Sequence, residues 1–262
     1  MTSSASGHRK KTRFVSDLHM FARRSSADVM QRAIEAAVSD SNAFILGGDI
    51  FDFRWSRWSS HKQTAEQSMQ WLRDLVSINP ECQIHYILGN HDANPEFLDR
   101  LHVFTRGVGN LEVHPHLLRL DDCVFLHGDI IDAPIPFEHD FHEQLNVLRQ
   151  KEEERRRPPE IQHALYDAVV STGLHRWIAH VANGNQRVLD RVTRYLDWAG
   201  HGPSAGIRNV YFGHTHRPLD RVPYSGMVFS NPGASIKGMD CRILSIERSA
   251  APLPATSQET SN

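Results

Sequence analysis

The stretch NVYFGHTHRP, residues 209–218, places two histidines two positions apart directly after an apolar run. Gly213 precedes His214 and His216, and Pro218 follows them. Histidines on a loop are often ordinary polar surface, so one such pair proves little. The apolar run, however, has the length and composition of a buried strand, which makes the pair a strand-end cluster. Its meaning depends on whether other strand ends carry partners for it.

Four further polar clusters follow short apolar runs in the same way. Because loops at the carboxyl ends of parallel strands converge on one edge of a sheet, five such clusters are expected to meet. Aspartate, histidine and asparagine suit Mn²⁺, Fe²⁺ or Zn²⁺ rather than Cu(I), since no thiolate takes part. We therefore predict a metal centre. The four clusters are Asp17-Leu18-His19, Gly48-Asp49-Ile50-Phe51-Asp52, Gly89-Asn90-His91-Asp92 and His127-Gly128-Asp129.

The apolar pattern around these clusters predicts an α/β fold with a central sheet. Two helical stripes separate the first strands, one around Met30 and Ile34 and one around Met69 and Leu72. Alternation of strands and helices of this kind is typical of α/β proteins. The predicted strands are 13–17, 43–49, 84–90, 123–129, 209–215, 227–233 and 241–247.

Residues 137–200 interrupt this alternation with helical spacing alone. A first stripe runs from Phe137 to Leu148, a second from Ile161 to Val181, and a third from Val188 to Leu196. We predict a helical insertion that forms a lid or cap over a domain spanning 13–248. Residues 1–12 and 249–262 have too little apolar surface to fold, so both ends are predicted to be disordered.

Composition narrows the function classes. The chain has 262 residues, 40% of them apolar, and a formal net charge of -2, so no basic field attracts nucleic acid. Its three cysteines, Cys82, Cys123 and Cys241, form no C-x-x-C pair and are expected to be reduced thiols. No apolar run is long enough to cross a membrane, and the N-terminus is not a secretory signal. These features favour a cytoplasmic protein.

The five clusters, in this order, resemble the motifs of the calcineurin-like metallophosphoesterases from about Arg13 to Gly238. The resemblance implies a four-layer sandwich of two sheets flanked by helices, with the helical insertion as its cap. It also implies two divalent metal ions about 3.5–4 Å apart, Mn²⁺ first, with Fe²⁺ and Zn²⁺ as alternatives. The implied ligands are Asp17, His19 and His216 for one ion, Asn90, His127 and His214 for the other, and Asp49 as the bridge.

The same resemblance assigns the chemistry. A hydroxide that bridges the metals attacks phosphorus, and His91 stabilises or protonates the leaving oxygen. Asp92 follows His91 directly, and the expectation is that it orients that imidazole. Asp52 either supports a ligand loop or caps a helix, Asp129 shapes the turn after His127, and Asn231 marks a turn.

The stretch RWSRW, residues 54–58, follows the Asp49 cluster. One interpretation is a partly buried loop. The other is a substrate-binding segment, because arginine pairs bidentately with phosphate and tryptophan offers apolar surface. In that case the side chains that grip an anionic or lipid-bearing substrate are those of Arg54, Trp55, Arg57 and Trp58.

Departures from the family motifs narrow the substrate. Phe53 after Asp52, and Asp92 at the end of the third motif, disfavour a Ser/Thr protein phosphatase. The motif sequences of this chain are most similar to those of the bacterial UDP-2,3-diacylglucosamine hydrolases. The similar motifs are FVSDLHM, ILGGDIFDF, HGD and GHTHRP. Those enzymes cleave a pyrophosphate in lipid A synthesis and release UMP, which implies a lipid-linked nucleotide substrate and peripheral contact of the cap with the inner membrane.

Two departures keep alternatives open. The best-known hydrolases of that group carry arginine where this chain has His91, and an acidic stretch where it has RWSRW. Both positions lie near the substrate, so another soluble nucleotide or small phosphoester is the second hypothesis. A non-catalytic metal-binding scaffold is the third. The sequence leaves the oligomeric state undetermined.

Overall fold

The computed structural model describes residues 11–133, 140–154 and 185–246. In these ranges the first sheet has five strands in the order β10-β1-β2-β3-β4. Strands β1 to β4 run parallel, and β10 pairs antiparallel with β1. The strands are β1 (Thr12–Val15), β2 (Ala43–Gly47), β3 (Gln83–Ile87), β4 (Leu111–His114) and β10 (Leu244–Ser245).

The second sheet also has five strands, in the order β5-β6-β7-β9-β8. Its three central strands β6, β7 and β9 are parallel, and an antiparallel strand closes each edge. The strands are β5 (Leu117–Leu120), β6 (Cys123–Leu126), β7 (Asn209–Phe212), β8 (Leu219–Tyr224) and β9 (Met227–Asn231).

Helices cover the outer face of each sheet. The first sheet is covered by α1 (Ala27–Ser39), α2 (His61–Ile78) and α3 (Pro95–Thr105), whose apolar faces share one core with β1 to β3. The second sheet is covered by α4 (Phe141–Glu154) and α5 (Asn185–Trp198), which share a second core with β6, β7 and β9. None of the helices in the described ranges is long and apolar enough to span a membrane.

The inner faces of the two sheets pack against each other through a third core. Phe14 of the first sheet lies 5.7 Å from Phe125 and 6.0 Å from Tyr211 of the second, between ring centroids. Ile45 and Ile87 join the same fully buried cluster. The layers are therefore helix, sheet, sheet and helix. The α/β sandwich that the resemblance implied is confirmed, whereas the single central sheet expected from alternation alone is replaced by two.

Most predicted elements are present. Each of the seven predicted strands overlaps an observed strand, and α1, α2, α4 and α5 carry the predicted stripes. Strands β4, β5 and β8 and helix α3 were not predicted, because exposed polar residues break their apolar pattern. The stripe at 161–181 and Phe137 lie outside the described residues. So do the ends predicted to be disordered, except that Lys11 is described and Thr12 belongs to β1.

The described helices of the insertion are part of the fold rather than a separate lid. Phe141 and Leu145 of α4 and Val192 and Leu196 of α5 are almost completely buried in the core of the second sheet. Their apolar stripes are therefore used in packing. Residues 155–184, where a cap would have to continue, lie outside the described ranges.

Candidate metal centre

The loops after β1 and β2 are joined by backbone hydrogen bonds that set the spacing of their side chains. Asp17 N–H donates to the Gly48 carbonyl at 3.0 Å, and His19 N–H donates to the Asp49 carbonyl at 2.9 Å. In the second sheet, Gly213 N–H donates to the His127 carbonyl at 2.8 Å. The strand-end loops therefore converge on one edge, as predicted.

The backbone at this edge is strained. Non-glycine residues rarely adopt positive φ, at a cost of about 1–3 kcal/mol each where the surroundings enforce it. Among the described residues, nine non-glycine residues have positive φ, and five of these are predicted metal ligands. With these conformations, the five side chains point into the ligand clusters. The five are Asp17 (53°), His19 (44°), Asp49 (51°), His214 (65°) and His216 (56°).

Two glycines make room for carboxylates rather than for the metal itself. A Cβ at Gly89 would overlap the Asp49 carboxylate, and a Cβ at Gly213 would overlap the Asp17 carboxylate. Their lack of a side chain is therefore a packing requirement of the cluster.

The first ligand cluster contains Asp17, His19, Asp49 and His216, whose donor atoms all lie within 4.8 Å of one another. His19 Nε2 is 3.0 Å from His216 Nε2, and His216 Nε2 is 3.3 Å from Asp17 Oδ1. Asp17 and Asp49 are buried almost completely. Buried nitrogens and carboxylates that face one another at these distances need protons or a cation between them.

The second cluster contains Asp49, His127 and His214. Asn90 adds a neutral oxygen, because its Oδ1 lies 3.1 Å from both His127 Nε2 and His214 Nδ1. Asp49 Oδ2 lies 3.3 Å from His127 Nε2 and 3.9 Å from His19 Nε2 of the first cluster. The structure therefore brings together all seven predicted ligands, with Asp49 shared between two groups.

Outer partners fix the orientation of three of the imidazoles. His127 Nδ1 faces the Gly47 carbonyl at 3.1 Å, and His19 Nδ1 faces Asp52 Oδ2 at 3.3 Å. His214 Nε2 faces Asp132 Oδ2 at 2.9 Å. These contacts hold the rings so that the opposite nitrogen of each points into its cluster. In metal sites, carboxylates and carbonyls that contact the outer nitrogen of a ligand histidine have the same effect. Sequence reasoning missed Asp132, because no periodic or motif signal marks it.

The electrostatics of the cluster suit cations. Burial acts to raise the pKa of Asp49, but His127 and His91 outweigh it and hold that pKa well below its usual range. Burial likewise lowers the pKa of His127, but Asp49 dominates and raises it to about 10. A raised pKa favours the protonated ring, and a metal ion binds neutral imidazole, so protonation of His127 competes with metal binding.

His91 lies beside this cluster and contacts a carboxylate other than the one predicted. Its backbone N–H donates to Asp49 Oδ1 at 2.9 Å, and its Nδ1 lies 3.3 Å from Asp52 Oδ1. Burial acts to raise the pKa of Asp52, but His91 and His19 lower it far below its usual range. Asp52 is therefore an anion that contacts both imidazoles, and the N-cap of α2 is Ser60 instead.

The orienting role expected of Asp92 needs correction. Asp92 Oδ1 accepts from Phe51 N–H at 3.0 Å, and Oδ2 accepts from Gly89 N–H at 3.1 Å. Burial and the neighbouring Asp49 raise the pKa of Asp92 to about 6. This carboxyl group ties the loop after β2 to the loop after β3, because both its oxygens accept backbone hydrogen bonds. The contact with the His91 ring is made by Asp52.

Two further residues brace the ligand loops. The Asn231 amide donates to the Gly213 carbonyl at 2.8 Å, so it holds the loop that carries His214 and His216. Asp129 does more than shape a turn, because its carboxylate pairs with the Arg149 guanidinium of α4 at 2.7 Å. Arg149 also donates to the Leu88 carbonyl at 2.8 Å, next to the loop of Asn90 and His91. The insertion thus helps to hold two ligand loops.

Residues 54–58 adjoin the centre and are partly exposed. The Arg24 guanidinium lies 4.5 Å from the Trp55 ring centroid, and the Arg57 guanidinium lies 4.9 Å from the Trp58 ring centroid. Arg54 is 5.5 Å from the Trp55 ring. Trp55 N–H donates to Asp52 Oδ1 at 2.8 Å, so the loop is attached to the carboxylate that contacts His91. The four predicted substrate-binding residues therefore lie in one loop, in which arginine side chains stack on tryptophan rings.

The chain is similar to one protein family over most of its length and to solved structures at low sequence identity. The family described as calcineurin-like phosphoesterase matches residues 10–218, which is most of the chain. No curated protein sequence matches it. A solved dimetal phosphatase from Danio rerio is 13% identical, with 87% of this chain and 88% of that chain covered and a TM-score of 0.44. A second solved structure is 12% identical, with 92% and 99% covered and a TM-score of 0.43.

Proposed function

Because the chain belongs to the calcineurin-like phosphoesterase family, whose members are metal-dependent phosphoester hydrolases, we propose that its two ligand clusters hold two divalent metal ions for hydrolysis of a phosphoester or pyrophosphate bond. The observation that carries the proposal is the position of Asp49, a buried carboxylate that belongs to both clusters. One ion would take Asp17, His19, His216 and Asp49, and the other would take Asn90, His127, His214 and Asp49.

The donor set fits hard or borderline divalent cations. It consists of imidazoles, carboxylates and one amide oxygen, without thiolate, which favours Mn²⁺ with Fe²⁺ and Zn²⁺ as alternatives. When bound, the two ions neutralise the phosphate oxygens and lower the pKa of water, which supplies the nucleophile near neutral pH.

The remaining chemistry belongs to His91 and Asp52. A leaving oxygen gains negative charge as its bond to phosphorus breaks, and a protonated imidazole within reach can donate to it. Asp52, anionic and 3.3 Å from His91 Nδ1, stabilises the charged ring and fixes its orientation. With Nδ1 held in this way, His91 donates its proton to the leaving group from Nε2.

For the substrate we propose a nucleotide-linked lipid pyrophosphate of the UDP-2,3-diacylglucosamine type, cleaved with release of UMP. The similarity of the motif sequences supports this substrate. The loop at 54–58 supports it too, because its arginines can bind phosphate and its tryptophans can contact an apolar chain or a nucleotide base. The second candidate is a soluble nucleotide or small phosphoester. Two features favour it. His91 occupies the position at which the lipid enzymes carry arginine, and the apolar faces of α4 and α5 pack into the second core, so they do not offer a surface for acyl chains.

The test is UMP release from UDP-2,3-diacylglucosamine with Mn²⁺, measured beside hydrolysis of an aryl phosphodiester. The Asp49→Asn variant is the control in both assays. Release of UMP by the unmodified chain alone supports the lipid substrate. Cleavage of the aryl diester without UMP release retains the dimetal hydrolase and rejects the lipid. If neither substrate is cleaved at saturating Mn²⁺, the proposed hydrolase is wrong for both candidates.

A further inference from the structure

A second group of histidine and carboxylate side chains lies outside the dinuclear centre, on strands β3 and β4. His85 pairs with Glu112 in the register between these parallel strands, and His114 pairs with Ile87 two residues along. Side chains alternate across a strand, so all three project from the same face. That face is the one on which Ile87 packs into the core between the sheets. The group therefore stands at the rim of that core, at the β4 edge of the sheet.

The donor atoms of this group form a small triangle. His85 Nδ1 is 3.1 Å from His114 Nε2 and 3.5 Å from Glu112 Oε2, and His114 Nε2 is 3.9 Å from the same oxygen. Bonds of about 2.0–2.1 Å to a tetrahedral Zn²⁺ place neighbouring ligand atoms about 3.3–3.4 Å apart. Two sides of the triangle match that spacing within a few tenths of an ångström. The longest side ends on an exposed glutamate, which can move inward.

We propose that His85, Glu112 and His114 form a Zn²⁺ site that shares no residue with the dinuclear centre. Two imidazoles and one carboxylate are a common three-ligand set for zinc and leave the fourth position to water. The burial of the three groups suits this use. His85 and His114 have 9% and 13% of their side chains exposed, whereas Glu112 has 60% exposed, so the ion can enter from the solvent side.

A hydrogen bond between the two imidazoles would explain why they are close, but it would not explain why Glu112 converges on them as well. Such a bond uses one proton between His85 Nδ1 and His114 Nε2 and gives Glu112 no role. Burial lowers the pKa of His114, although Glu112 opposes the shift, and a lowered pKa favours the neutral ring. Neutral imidazole is the form that binds a metal ion, and the three donors already converge.

An ion at this site would brace the edge that leads to the catalytic loop. It would cross-link β3 to β4, the outermost strand of the first sheet. The His114 carbonyl accepts from Leu88 N–H at 3.1 Å, and Leu88 precedes the Gly89-Asn90-His91 loop. Because the site shares no residue with the dinuclear centre, loss of its ion should loosen this edge and leave the ligands of the dinuclear centre in place.

The experiment counts zinc in the full chain. Wild type, Glu112→Gln, His114→Asn and the control His102→Asn are stripped of metal, loaded with Zn²⁺ and dialysed, and zinc per chain is measured by mass spectrometry. His102 is an exposed histidine of α3, so its variant controls for loss of an imidazole. Competition with a chromogenic chelator gives the affinity, and the aryl diester assay with added Mn²⁺ monitors the dinuclear centre.

We expect His114→Asn to retain about one zinc ion per chain less than the His102→Asn control. Since loss of an outer partner weakens metal binding about 10–100-fold, loss of the Glu112 ligand should weaken this zinc at least about tenfold. Diesterase activity of Glu112→Gln should match wild type. Because Glu112 is exposed, that variant stays folded even if His114→Asn does not. Equal zinc content and affinity in Glu112→Gln and His102→Asn would overturn the proposal.

Discussion

The metal centre and loop 54–58 meet in the segment after strand β2, where Asp49 precedes the loop by a few residues, yet the two regions are held in different ways. At the centre, strained backbone at Asp17 and Asp49 is fixed by hydrogen bonds between loops and by buried charge. In loop 54–58, the side chains are held by stacking of arginine on tryptophan, and Arg57 is exposed. Positions of the first kind tolerate little change, whereas those of the second can vary in shape and charge. On the proposed function, the first region carries out the chemistry and the second binds the substrate.

Asp52 joins the two regions through one oxygen. Its Oδ1 accepts from Trp55 N–H and lies 3.3 Å from His91 Nδ1, while Oδ2 faces His19. The loop and the imidazole that we assign to the leaving group therefore share one carboxylate oxygen. If the comparison is right, substitutions at the centre should remove metal or turnover, and substitutions in the loop should change substrate affinity.

The largest effect is expected for Asp49→Asn. One carboxylate serves both clusters, so its neutralisation should weaken both ions and abolish turnover of the aryl diester. Metal content by mass spectrometry and turnover at saturating Mn²⁺ measure the two consequences. Asp99→Asn, on the exposed face of α3, is the matched control and should behave as wild type. Near-normal turnover in Asp49→Asn would refute the shared-ligand assignment.

His91→Ala should have the next largest effect, because it tests the chemistry without touching a ligand. Both ions should remain, and kcat should fall by about 10²–10⁴, the usual scale for loss of a general acid. A series of aryl diesters with increasingly acidic leaving groups should show a progressively smaller defect, since good leaving groups need no proton. Loss of metal in this variant would instead make His91 a ligand.

The seven side chains that converge at the centre were predictable from sequence, because each follows a strand in a short local motif. The residues that contact them from outside were not predictable, because they are remote in the chain. Asp52 contacts His91 from 39 positions away, and Asp132 contacts His214 from 82 positions away. Adjacency in the sequence suggested Asp92 as the partner of His91, but the two Asp92 oxygens accept hydrogen bonds from the backbone N–H groups of Phe51 and Gly89. Spacing along the chain does not reveal such competition for hydrogen bonds.

The same limit explains the missed elements of the fold. Buried strands such as β2 are continuous apolar runs and are visible in the sequence. Three of the four edge strands in the described ranges are not: β4 and β5 include partly exposed residues, and β8 contains Pro223. Proline is tolerated at the edge of a sheet but reads as a turn in the sequence. The division into two sheets likewise depends on packing between strands distant in the chain, which only the family resemblance supplied.

Asp52→Asn should give an intermediate effect and tests the junction between the two regions. Removal of an orienting carboxylate typically costs about 10–100-fold, so kcat should fall by that amount at saturating Mn²⁺. Residues that act through one another are not additive. The double variant Asp52→Asn with His91→Ala should therefore have nearly the kcat of His91→Ala alone. Multiplied defects would show that Asp52 acts on the metal ligand His19 instead of His91.

The smallest effect is expected in loop 54–58, and it should fall on a different kinetic constant. A partly exposed cation–π contact is worth about 0.5–1 kcal/mol, and the Trp58 ring also packs on Phe21 at 4.8 Å between centroids, so Trp58→Ala should lower stability by at least this amount. If the loop binds substrate, Arg57→Lys should raise KM by less than about tenfold at unchanged kcat, because lysine keeps the charge but loses bidentate pairing with phosphate. Arg73→Lys on α2 is the control, since Arg73 also lies over an aromatic ring, 5.8 Å from the Phe104 centroid. A fall in kcat for Arg57→Lys would mean that the loop belongs to the catalytic centre after all, and an unchanged KM for every substrate tested would make it a packing element.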